Sequence, residues 1–132
     1  MLDNRMEWVA IVTALMLLQY IYFTVRVGKA RGESGIKAPA TSGDPVFERH
    51  FRVQQNTLEQ LVVSVPALWM FGWFVDARIA ALLGVIYVIG RFMFQRSYVA
   101  DPATRGAGFL TGMLATLALL IGSLVGPLLR LF

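Results

Sequence analysis

The feature that most constrains this chain is the repetition, within so short a length, of long apolar runs that a soluble core of this size could not bury. The first covers residues 6–27, with Glu7 at one end and Arg26 at the other as its only formal charges. At about 1.5 Å per residue such a run crosses a hydrocarbon layer of roughly 30 Å as a helix. Three more follow at 58–75, 79–94 and 107–129, the third of them short and able to borrow length from the segment 95–98. Only 15% of the residues are charged and 57% are hydrophobic. These values exclude a disordered chain and argue against a soluble globule. The first run is too long for the apolar core of a signal peptide, has Asp3 and Glu7 in its leading segment, and lacks a small-residue cleavage site, so it reads as a retained helix. The fold class expected is all-α and integral to a membrane: a single domain, 1–132, of four transmembrane helices at about 6–27, 45–75, 77–98 and 102–130.

Local chemistry marks the helix boundaries. Asp44-Pro45 and Asp101-Pro102 each place a capping carboxylate before a proline at the first helical position, and Asp76 stands ready to cap the third helix. Pro66 falls inside the second helix, where it removes one backbone hydrogen bond and favours a kink. Residues 28–43, rich in Gly, Ser, Pro and Lys, form the one substantial loop expected.

Nine of the 12 basic residues (Arg26, Lys29, Arg31, Lys37, Arg49, Arg52, Arg91, Arg96 and Arg105) flank the first and third loops. Only Arg5, Arg78 and Arg130 flank the opposite side. This bias places loops one and three in the cytosol and both termini outside. Trp8, Trp69 and Trp73 then fall together at the outer interface, and Tyr20, Tyr22 and Phe23 at the inner one.

Polar residues enter the apolar runs at that inner end. Taken as one helix, the second segment aligns Glu48, Arg52, Gln55, Asn56 and Glu59 within about a third of its circumference. Glu48 and Arg52 read plainly as a solvated i,i+4 pair. Asn56 and Glu59 stand beside Leu58, Leu61, Val62 and Val63, where an intramembrane carboxylate is a functional candidate by default and Arg52 is its nearest partner. The third helix presents Arg91, Phe94, Gln95 and Tyr98 at i, i+3, i+4 and i+7. Snorkelling to headgroups would explain Arg91, and lipid phosphate would explain Arg105, equally simply. Together, however, Arg52, Asn56, Glu59, Arg91, Tyr98 and Arg105, with Arg31 in the first loop, suit a small ligand carrying more than one carboxylate and one amine.

Competing chemistries lack residues. There is no cysteine, and His50 is the only histidine, which leaves no multi-histidine metal site and little support for a histidine-based triad. The pairs Gly108/Gly112 and Gly122/Gly126 read as close-packing positions between helices.

The run Phe47-Glu48-Arg49-His50-Phe51-Arg52-Val53-Gln54-Gln55-Asn56-Thr57-Leu58-Glu59 resembles the second-helix signature of the membrane-associated proteins in eicosanoid and glutathione metabolism, the MAPEG family. The four-span layout and the segment 91–105 extend the similarity over the chain. The resemblance implies a homotrimer that binds glutathione between neighbouring subunits near the cytosolic face and takes hydrophobic small-molecule substrates from the lipid. It implies glutathione binding by Arg31, Arg52, Gln54, Asn56, Glu59, Arg91 and Tyr98, and thiolate stabilisation by Arg105. By the helical wheel Gln54 points away from Asn56, which fits service across a subunit boundary. Gln60 and Phe94 depart from tyrosines found in some members. The function expected is a membrane glutathione transferase, with a possible peroxidase activity, acting in detoxification in a bacterial inner membrane. No metal and no nucleic acid are expected. A non-catalytic lipid-binding or scaffold role is the alternative, and a channel subunit fits less well because the polar residues gather at one end.

Overall fold

The computed structural model describes residues 5–132, so Asp3 lies outside the described residues. Four helices follow one another: α1 (Met6–Ser34), α2 (Pro45–Phe74), α3 (Ala77–Ala100) and α4 (Gly106–Leu131). A short 3₁₀ turn, Pro102–Thr104, precedes α4. Three of them, α1, α3 and α4, are long and apolar enough to cross a membrane. This is an integral membrane protein. The helix α2 falls short of that mark because its first half is polar, and only the part after Gln60 is largely apolar, with Ser64 inside it.

The caps account for the boundaries. Asp44 accepts a hydrogen bond from the Phe47 backbone N–H at 2.9 Å, and Glu48 reaches back to the N–H of Gly43 at 3.0 Å. Asp76 accepts from the N–H groups of Arg78 and Ile79. Two sequence expectations are corrected. Asp101 caps the 3₁₀ turn, accepting from Ala103, and α4 starts only at Gly106 with Arg105 at its N-cap position. Residues 28–34 are helical rather than looped, because α1 ends only where Gly35 takes the left-handed conformation (φ 75°) and returns its N–H to the Arg31 carbonyl.

Cross-links fix the arrangement. Gln54 of α2 bonds Thr24 in the second half of α1, and Trp69, near the end of α2, bonds Thr13 in the first half, so these helices run antiparallel. Arg49 donates to the carbonyls of Val99 and Ala100, which fastens the start of α2 to the end of α3. Gln19 donates to the carbonyl of Val88 across the parallel pair α1 and α3, and Ser123 donates to that of Ala67 across the parallel pair α2 and α4. The main core joins Val9, Val12, Met16, Leu61, Leu68, Tyr87 and Leu119. A second cluster at the inner end joins Phe23, Val53 and Phe94. Phe23 therefore belongs to the packed interior rather than to an interfacial belt. His50, which precedes the apolar part of α2, is buried there too. Burial first, and then the Arg26 charge, hold its pKa below the usual imidazole range.

Glycine lets α3 and α4 approach backbone to backbone. A Cβ on Gly90 would stand 2.6 Å from the Gly112 backbone nitrogen, and one on Gly108 would overlap the backbone of Phe94. Gly122 and Gly126 admit the Phe71 ring and the Val75 side chain in the same way. Gly28, by contrast, has open space around its Cβ position inside α1. Gly90→Val will therefore lower the thermal midpoint in detergent by an amount equivalent to about 1–3 kcal/mol of overpacking. Gly28→Ala will leave it unchanged or raise it, by up to about 1 kcal/mol of helix propensity.

Candidate functional site

The first half of α2, the end of α3 and the start of α4 line a cavity of about 380 Å³. Arg52 and Asn56 contribute from α2, Phe94 and Tyr98 from α3, Arg105 from the α4 N-cap and Phe109 from the first turn of α4. Four of the residues singled out in the sequence thus share one wall-to-wall space. A neighbouring recess of about 450 Å³, lined by Glu48, Arg49 and Phe51, also touches Arg52 and Tyr98.

Asn56 gives the cavity its sharpest chemical preference. Its side-chain oxygen is buried and has no hydrogen-bond partner. Such an orphan acceptor costs about 1–3 kcal/mol, which a ligand N–H entering the cavity would recover. Arg52 forms an ion pair with Glu59 at 3.7 Å, two turns further along α2. Both side chains are more than half exposed in the isolated chain, 57% and 60%, so by itself the pair contributes little to stability. The ring of Tyr98 stacks on that of Phe94 with centroids 5.4 Å apart, which fixes one wall. Arg105 sits where the unpaired N–H groups and positive dipole end of α4 add to its own charge. An anion held there meets two guanidiniums and a helix terminus within one small space.

Arg91 takes a different place. It is only 2% exposed, so it does not snorkel to the surface. Its guanidinium donates to the Thr57 hydroxyl at 2.7 Å and lies 4.4 Å from the centroid of the Phe94 ring, and Arg91 is not among the residues that line the cavity. No carboxylate pairs with it among the described residues. Thr57 spends its own proton on the Val53 carbonyl at 2.7 Å, so the hydroxyl's acceptor side is aimed at Arg91. Sequence periodicity could not find this pairing, since the partners lie on different helices.

Three other singled-out residues stand apart from the cavity. Arg31 donates to the Ala40 carbonyl at 2.8 Å and covers the Phe47 ring at 4.6 Å, which straps the first loop against α2. Gln54 is turned toward α1 by its bond to Thr24 at 2.9 Å. Glu59 touches the site only through Arg52. Phe109 was not anticipated at all; it becomes a lining residue because the 3₁₀ turn delays the start of α4 and brings its first turn to the cavity. Among the described residues there is no cluster of His, Asp or Glu able to hold a metal ion.

The arrangement is that of a membrane protein with a cavity carrying two arginines at one end of an apolar helical bundle. The MAPEG family model matches residues 9–125, and the chain belongs to the MAPEG family. It is similar to an uncharacterized protein of Synechocystis sp., with 39% identity over 131 residues, 99% of this chain and 96% of that protein. It is 40% identical over 113 residues to microsomal glutathione S-transferase 2 of Homo sapiens, covering 84% of this chain and 77% of the relative. Leukotriene C4 synthase of Rattus norvegicus is 36% identical over 127 residues, covering 90% and 85%.

The Thr57 contact can be tested directly. Thr57→Val keeps the shape but leaves the buried Arg91 without its hydroxyl acceptor. It will lower thermal stability by about 1–3 kcal/mol, whereas Thr57→Ser will stay close to the parent. Equal midpoints for the two variants would show that the hydroxyl does not matter.

Proposed function

We propose that this chain is a membrane glutathione transferase that ionises the glutathione thiol for attack on hydrophobic electrophiles. The observation that carries the reading is the single cavity in which Arg52 and Arg105 flank the unpartnered Asn56 oxygen. Glutathione offers two carboxylates for guanidiniums, amide N–H groups for Asn56 and an ammonium for Glu59. Relatives named for glutathione transfer and for leukotriene C4 synthesis support the same class of chemistry. Phe94 at the cavity wall, where some members carry a tyrosine, gives no hydroxyl to the ligand. This favours a general transferase over an eicosanoid-specific one.

The electrostatics follow simply. A cysteine-like thiol with a pKa of about 8.5 is only a few per cent ionised at neutral pH. A nearby cation lowers such a pKa by about 1–3 units, enough to make thiolate the main form. Arg105 supplies that cation without any proton transfer of its own, since guanidinium stays charged. The electrophile reaches the thiolate from the lipid along the helix faces, and reduction of lipid hydroperoxides by the same thiolate would be a second activity.

The working unit is a homotrimer in which all four helices cross the bilayer. Exposed Arg52 and Glu59 are sheltered there by a neighbouring subunit, and Arg31 and Gln54 serve a neighbour's site. Arg91 acts on bound ligand through the field it sets beside the Phe94 ring. The termini face outward and the 28–43 and 101–105 segments face the cytosol of a bacterial inner membrane, following the basic-residue bias.

Binding of glutathione to the purified, detergent-solubilised protein, followed by conjugation to 1-chloro-2,4-dinitrobenzene, tests the function. Glu59→Gln will weaken glutathione binding by about 1–3 kcal/mol. Arg105→Ala will keep most of the binding but raise the bound thiol's pKa, so its turnover will fall at neutral pH and partly recover as pH rises. Thiolate ultraviolet absorbance against pH reads this directly. A titration curve identical to the parent's would remove Arg105 from the thiolate role.

Assembly and orientation have their own test. Native mass spectrometry will show three subunits, and a stable monomer with full glutathione binding would contradict a shared site. In this cysteine-free chain a cysteine at Ser34 will resist an impermeant reagent added outside the cell, while one at the C-terminus will react. The reverse pattern would invert the topology.

A further inference from the structure

A second recess, of about 520 Å³, opens at the same end of the bundle on the face between α1 and α3. It shares no residue with the cavity of Arg52 and Arg105. Tyr22 and Arg26 line it from α1, and Phe92, Gln95, Arg96 and Val99 from α3. Two guanidiniums therefore face one space whose lining holds no carboxylate. Glu33, further along α1, pairs with Lys29 at 4.0 Å, and Asp101, just past α3, accepts from the Ala103 backbone.

One of these polar groups lacks a partner. The Arg26 Nε is buried without a hydrogen bond. Gln95 lines the same recess and is 7% exposed. Simple snorkelling would leave the charged head in water, whereas here part of the Arg26 head is shielded inside a recess. A buried N–H without an acceptor is offset only when an acceptor arrives, and a phosphate has several.

The wall beneath is apolar. The rings of Tyr22 and Phe92 meet edge to face with centroids 6.0 Å apart. One helical turn further from the charges, Leu18 and Ile89 lie on the same two faces and are exposed. The recess thus changes from cationic to aromatic to aliphatic over the depth at which the apolar runs of α1 and α3 begin. A soluble anion would use only the top of such a surface. We propose that this recess binds an anionic phospholipid, with its phosphate between Arg26 and Arg96 and an acyl chain along the Leu18–Tyr22 and Ile89–Phe92 faces. This site is independent of the glutathione reading, because neither arginine lines the thiol cavity.

The test is native mass spectrometry of the full-length, delipidated protein titrated with phosphatidylglycerol, with phosphatidylcholine, and with phosphatidylglycerol in the presence of inorganic phosphate. One phosphatidylglycerol per subunit will be retained, phosphatidylcholine will bind more weakly, and inorganic phosphate at equal concentration will not displace the lipid. The double variant Arg26→Gln, Arg96→Gln will lose roughly twenty-fold in phosphatidylglycerol affinity, as expected for two basic residues near an anionic headgroup. Its glutathione affinity will remain that of the parent. Should the double variant not assemble, Arg96→Gln alone, at an exposed position, will lose roughly five-fold. Equal binding of the two lipids, unchanged affinity in either variant, or displacement by inorganic phosphate would overturn the proposal.

Discussion

Arg91 holds a full positive charge almost entirely inside a bundle whose surroundings are apolar, and the inner half of the structure is organised around keeping it there. Desolvating a guanidinium costs several kcal/mol unless hydrogen bonds and polarisable neighbours replace the lost water. Thr57 supplies one acceptor, and the Phe94 ring supplies its electron-rich face, a contact worth roughly 2 kcal/mol when desolvated. Both partners are then committed. Thr57 must keep its hydroxyl turned toward α3, and Phe94 both contacts the buried charge and lines the cavity. The rigid wall on which Tyr98 stacks is a consequence of that placement.

The close approach of α3 and α4 serves the same end. With Gly90 facing Gly112, and Gly108 against the backbone of Phe94, the two helices meet with no side chain between them. Arg105 and Phe109, at the start of α4, are thereby brought to the cavity that Phe94 walls. The basic residues of this end divide by what they touch. Arg31 and Arg49 are spent on backbone carbonyls and hold the loop and the helix ends together. Arg52 and Arg105 face one cavity, and Arg26 and Arg96 another. A single excess of positive charge is thus divided between fastening contacts and two separate recesses of one bundle.

Several of these features could be read in the chain before it was folded. Apolar runs of helical length force the membrane as solvent, because no other environment accepts them, and Asp44, Asp76 and Asp101 mark helix starts because a short carboxylate satisfies free N–H groups locally. The alignment of Arg52, Asn56 and Glu59 follows from the fixed pitch of one helix. All of these are properties of neighbours in sequence, and so are the GxxxG spacings that proved to be close contacts.

Tertiary structure decided what depends on distance between helices. The intrachain partners of Arg31 and Gln54, the Ala40 carbonyl and the Thr24 hydroxyl, are not written in any linear pattern. Asp101 carries the mark of a helix start but caps a 3₁₀ turn, so the first turn of α4 shifts and Phe109 joins the cavity. Arg91 could have risen to the headgroups, and its burial follows only because a hydroxyl on α2 and a ring one turn away on α3 converge on it. Pattern along the chain determines which faces are polar, since pitch and solvent act locally. Which polar group meets which is settled by packing, because a hydrogen bond or an ion pair is decided over a few ångströms that the sequence does not measure.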